Sequence, residues 1–108
     1  MEIILKGIAA SGGKIRNKVK VIKEPNEINI KIEKGEIIVV SFVTPFSFNL
    51  VLNAGAIITD FGGVTSHAAV IARELGIPCV VGTEKATKIL EDGMEVIVDG
   101  NNGIIYRC

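Results

Sequence analysis

Residues 56–81 hold a β-branched run, a glycine pair, an apolar stripe at helical spacing and a second β-branched run, in that order. Ala56-Ile57-Ile58-Thr59-Asp60 predicts a short buried strand, and Gly62-Gly63 predicts a turn. Ala68, Ala69, Ile71, Ala72 and Leu75 recur on one helical face, so a helix is predicted from about Ser66 to Leu75. Gly76 supplies a helix stop, Pro78 forbids continuation, and Val80-Val81 returns to strand. Two strands joined by a helix favour parallel pairing with a right-handed crossover. In sheets of that kind ligands gather beyond the carboxyl ends of strands, and Thr59–Ser66 occupies such a position.

The flanks are read around that unit. Thr44-Pro45 suits an N-cap followed by proline at the first helical position, with Asn53-Ala54-Gly55 closing that helix. A brief helix near Glu84–Leu90 ends at Asp92-Gly93, and Val96–Val98 and Ile104–Tyr106 flank a strong hairpin turn at residues 99–103. Before residue 44 the signals are those of strands: Val19 and Val21, the run Ile37-Ile38-Val39-Val40, and Ile28, Ile30 and Ile32 alternating with Asn29, Lys31 and Glu33. The expectation is a mixed α/β fold, antiparallel strands first and β-α-β connections later, in a single domain over residues 1–108.

Composition excludes several functions. Hydrophobic residues make up 48% and charged residues 22%, which suits a packed core built mainly from Ile, Val, Leu and Ala. Twelve basic residues balance twelve acidic ones, with no basic run, so nucleic acid is not an expected partner. No apolar run approaches the roughly 18–20 residues that span a bilayer, and a cytoplasmic protein without membrane contact is expected. With one histidine and two scattered cysteines, Cys79 and Cys108, no metal site is expected. Cys79, in Ile77-Pro78-Cys79-Val80-Val81, reads as a small core residue.

The single histidine, His67, falls where the glycine turn enters the helix. A neutral imidazole is a nucleophile at physiological pH, and a helix N-terminus favours an anion. Gly62 and Gly63 allow successive N–H groups to face one concavity. Thr65 or Ser66 can cap the helix, and either hydroxyl can instead donate to a phosphate oxygen. The helix end adds about 0.3–1 kcal/mol of anion stabilisation, enough to hold a phosphoryl group without trapping it. Thr44 and Ser47 are candidates to orient the ring if their loop lies beside the turn. The same residues also suit a purely structural turn and cap, and Arg73 and Glu74 suit a solvated helix face.

The ordered segment Thr59–Thr83, centred on Gly62-Gly63-Val64-Thr65-Ser66-His67-Ala68-Ala69, resembles the mobile, swivelling phosphohistidine domain of phosphoenolpyruvate-utilising enzymes. That family includes phosphoenolpyruvate synthase, pyruvate phosphate dikinase and enzyme I of the sugar phosphotransferase system. The likeness continues through Ala86-Thr87, Leu90, Asp92-Gly93, Val98-Asp99-Gly100 and Gly103. Upstream it is carried more weakly by Gly7, Ala10-Ser11, Gly13, Gly35-Glu36-Ile37 and Pro45. Gly12 stands where the family often has Pro, and Asn17 where Gly is common.

The resemblance implies a swivelling β/β/α fold in which His67 accepts and donates a phosphoryl group, with Gly62, Gly63, Thr65 and Ser66 around the phosphate and Arg73 in support. It implies a regulatory phosphorylation position at Thr65. It also implies partner subunits, separately encoded, that bind ATP and phosphoenolpyruvate or pyruvate and carry the magnesium. The chain itself is then expected to bind no cofactor and not to turn over these substrates alone. The alternative is a non-catalytic regulatory or anion-binding module of the same fold.

Overall fold

The computed structural model describes residues 1–24, 27 and 29–108. Among the described residues eight strands and three short helices follow one another as β1 (Glu2–Lys6), β2 (Ile8–Ser11), β3 (Lys14–Ile22), β4 (Ile37–Val40), a 3-10 turn (Pro45–Ser47) running into α1 (Phe48–Val51), β5 (Ala56–Thr59), α2 (His67–Leu75), β6 (Cys79–Val81), α3 (Ala86–Ile89), β7 (Glu95–Asp99) and β8 (Ile104–Arg107). The strands pair in the order β1-β8-β7-β3-β4-β5-β6-β2.

Strand β3 links two sheets. Its first half pairs antiparallel with β7, Lys14 opposite Asp99 through Lys18 opposite Glu95. Its second half pairs parallel with β4, Val19 opposite Ile37 through Ile22 opposite Val40. The parallel run continues through β4-β5 and β5-β6, the pairing expected of a β-α-β unit.

Alternation along these strands builds two cores. Ile38, Val40, Ile57, Cys79 and Val81 face one way and pack with Ala68, Ala69 and Ala72 of α2. Ile37, Val39, Ala56, Ile58 and Val80 face the other way and pack with Leu5, Val96, Val98 and Ile105 of the antiparallel sheet. The result is the expected β/β/α layering, with α2 covering the parallel strands β5 and β6 and the antiparallel edge strand β2. Each fully buried Ile or Val contributes roughly 1.5–3 kcal/mol relative to an exposed one, so β4 and β5, buried along their whole length, anchor the fold. Burial pushes the Cys79 thiol up to about 12, which leaves it a neutral core group.

Antiparallel strands come first, as expected, but each finds its partner late in the chain: β1 pairs with β8, β2 with β6 and β3 with β7, while β3-β4 is parallel. One expectation needs correction: residues 29–33 form no strand, and Ile28 lies outside the described residues. Ile30 and Ile32 instead pack, half-buried, against the core beneath α2. Their alternation reports one buried side of a segment that has no ladder partner, because β4 is already paired on both edges.

Candidate functional site

Helix α2 starts where the sequence places it, and the choice of cap is resolved. Ser66 has extended backbone angles, and its Oγ accepts from the Ala69 amide at 3.4 Å. The same hydroxyl donates to the Gly63 carbonyl at 2.8 Å. Ser66 is therefore the cap, and its proton is engaged within the turn. Gly76 ends the helix in the left-handed conformation, its N–H donating to the carbonyls of Ala72 and Arg73.

The turn before α2 is set by Gly62. Its φ of 117° is rarely adopted by residues with a side chain, and a Cβ there would lie 3.0 Å from the Ser66 Cβ. Gly63 differs, since a Cβ on it would meet nothing within 4 Å. The turn is tied down from below: Thr59 Oγ1 donates to the Phe61 carbonyl at 2.7 Å, and the Phe61 amide donates to Ser41. The buried Asp60 carboxylate accepts from both the amide and the hydroxyl of Thr87, binding the strand end to α3. Above, Arg73 donates to the Val64 carbonyl at 2.8 Å.

Within this frame, the N–H groups of Gly62, Gly63, Val64, Thr65, His67 and Ala68 meet no acceptor among the described residues. Thr65 is exposed and its hydroxyl likewise has no partner among them. His67 is exposed as the first helical residue and stands between two shallow cavities. One, of about 310 Å³, is lined by Thr44, Pro45, Phe48, His67 and Ile71. The other, of about 300 Å³, is lined by Phe42, Val43, Phe61, Gly62, Ser66, His67 and Ala68. Among the described residues no lining residue other than His67 is ionisable.

Thr44 thus shares a cavity with His67, whereas Ser47 is buried and pairs with Thr44, their hydroxyl oxygens 3.2 Å apart. The surrounding aromatic rim is not anticipated from sequence. Phe42, Phe46, Phe48 and Phe61 are all the phenylalanines of the chain, and all are exposed. Their confinement to residues 42–61 is the signal that marks this face. Among the described residues no group of three His, Cys, Asp or Glu could hold a metal ion, and no helix is long and apolar enough to cross a membrane.

Together the fold and the site define a β/β/α domain that presents an exposed histidine at a capped glycine turn. The description "PEP-utilising enzyme, mobile domain" matches residues 32–103, and this chain belongs to that family. It is 52% identical over 106 residues to a probable phosphoenolpyruvate synthase of Archaeoglobus fulgidus, covering 98% of this chain and 14% of the relative. It is 50% identical to the phosphoenolpyruvate synthase of Pyrococcus furiosus, again over 98% of this chain and 13% of the relative. The chain therefore spans about one-seventh of the length of these relatives. Among solved structures it is similar to an Enzyme I protein, with 37% identity and a TM-score of 0.61 over 68% of this chain and 31% of the other. Thermococcus kodakaraensis aconitase X is similar over 94% of this chain and 95% of the other, with 25% identity and a TM-score of 0.75. Since one architecture serves proteins with such different names, function must be argued from the site.

Proposed function

We propose that this chain is a phosphoryl carrier in which His67 is transiently phosphorylated. One observation carries the reading: six amides around an exposed histidine, at the start of a nine-residue helix, have no acceptor among the described residues. Several neighbouring backbone donors without a protein acceptor, gathered at a helix start, suit a ligand with several acceptor oxygens. A phosphoryl group on the imidazole is such a ligand.

The chemistry is a displacement at phosphorus. The lone pair of an imidazole nitrogen forms the N–P bond while the donor's P–O bond breaks, and that bonding pair leaves with the donor oxygen. The reverse step passes the group to an acceptor oxygen and restores neutral His67. Thr65 and the turn amides take the phosphoryl oxygens; Ser66 shapes the turn as the cap. The exposed phenylalanines suit transient apolar docking with the partners that load and unload the histidine. Those partners are an ATP-binding unit and a phosphoenolpyruvate- or pyruvate-binding unit, which supply magnesium, in the cytoplasm.

The test is labelling in a fresh lysate of the source cells supplied with magnesium and either ATP or phosphoenolpyruvate. Wild-type chain acquires acid-labile phosphate, and His67→Ala acquires none while keeping its fold. Label retained in His67→Ala overturns the assignment. A stable complex with a partner, unchanged by that substitution and without label, favours the binding-module alternative.

A further inference from the structure

The guanidinium of Arg73 donates two hydrogen bonds to carbonyls far apart in the chain: Ala10 in β2 at 3.0 Å and Val64 in the turn before α2 at 2.8 Å. Each end of this bridge rests on something fixed. Strand β2 is paired to β6, with Ile8 opposite Val81 and Ser11 opposite Cys79. Helix α2 is held to the sheet by the buried Ala68, Ala69 and Ala72. Arg73 thus joins edge strand, helix and turn at one planar group. A guanidinium presents its donors in fixed directions and can serve two carbonyls at once, whereas an ammonium is a point donor on a flexible stem.

The bond to Val64 has a consequence for the next residue. A trans peptide is planar, with its C=O and the following N–H pointing in opposite directions. Fixing the Val64 carbonyl on Arg73 therefore fixes the direction of the Thr65 N–H, one of the amides with no acceptor among the described residues. We propose that Arg73 is a positioning residue, whose bridge from Ala10 to Val64 aims the Thr65 amide and holds the turn in its anion-receiving form. It acts through the backbone and need not touch the phosphoryl group. The inference rests on the carrier reading for its effect on transfer, though not for its effect on the turn.

Phosphoramidate, a small donor whose P–N bond breaks with release of ammonia, tests this without any partner protein. Phosphorylation of His67 and loss of the group are followed by intact mass, alongside amide resonances and hydrogen exchange in the turn. Arg73→Gln is expected to shorten the phosphohistidine lifetime about tenfold, since a misdirected donor no longer meets its oxygen. It should also shift the Thr65 amide resonance and speed its exchange, with the exchange of β4 and β5 unchanged. Arg73→Lys keeps the charge and can reach one carbonyl but not bridge both, so it should fall between the two. A purely structural role would leave the Thr65 amide unmoved. Wild-type lifetime and an unmoved Thr65 amide in Arg73→Gln overturn the proposal. If wild-type chain takes no phosphoryl group, the carrier reading fails, and the Thr65 amide alone decides the role of Arg73. If Arg73→Gln does not fold, Arg73→Lys is held to the same two criteria.

Discussion

Two glycine turns in this molecule follow strands and are shaped by a polar side chain, yet they use their amides in opposite ways. In the β7-β8 hairpin the amides of Asn101 and Asn102 donate to one Asp99 carboxylate oxygen, and the Asn102 side chain donates to the other. Gly103 donates to the Asp99 carbonyl, and Gly100 donates across to Gly13. That turn is closed on itself. In the turn before α2, the Ser66 side chain satisfies only the Ala69 amide, and six neighbouring amides have no acceptor among the described residues. Both sequences read as Gly-rich turns with a polar cap; the accounting of donors separates scaffold from site.

The comparison breaks most sharply at His67. His67→Ala should abolish phosphoryl labelling and leave the thermal midpoint nearly unchanged, because the side chain is exposed. Substitution in the hairpin should do the reverse, and Asp99→Ala is expected to lower stability while labelling persists.

The glycines come next. Gly62→Ala forces a left-handed residue and a crowded Cβ against Ser66, for an expected loss of about 1–3 kcal/mol together with slower labelling. Gly63→Ala, with open space around its Cβ, should cost no more than about 0.5 kcal/mol in chemical denaturation. Equal losses at the two positions would contradict the geometry of the turn. Ser66→Ala removes the cap and should cost about 0.5–2 kcal/mol, while Ser66→Gly costs a few tenths.

The smallest effect is one of pH. The side-chain hydrogen bond from Asn102 holds the Asp99 carboxyl below the usual aspartate range, and the turn amides add to it. Its folded-state value lies below its unfolded one, so its contribution is present above the unfolded aspartate range. It is lost as pH falls through the folded value. Asp99→Asn should flatten this acid limb of the stability profile, and an unchanged limb would remove Asp99 from the account.

Local chemistry made part of this structure legible. The unit from Ala56 to Val81 follows from β-branched runs, helical spacing and the Gly76-Pro78 stop, and the hairpin from its turn residues. Long-range pairing has no such signal. Nothing near Glu2 announces that it faces Arg107, and nothing near Ile8 announces Val81. Ile30 and Ile32 alternate as a strand would, yet they pack without a ladder because period-two burial needs only one apolar side. At the site, His67 and the glycine turn are visible in sequence, but a choice between Thr65 and Ser66 as cap requires the backbone angles. Arg73 has the pattern of a solvated helix charge, and only the fold brings Ala10 and Val64 to it.

Intact-mass analysis of the chain isolated from its own cells at mildly alkaline pH, with an acid-treated duplicate and site mapping, tests the central claim most directly. The account predicts a phosphoryl adduct on His67 that disappears in the acid-treated sample. Unmodified chain, even after ATP, phosphoenolpyruvate and magnesium are added to the fresh lysate, would contradict it.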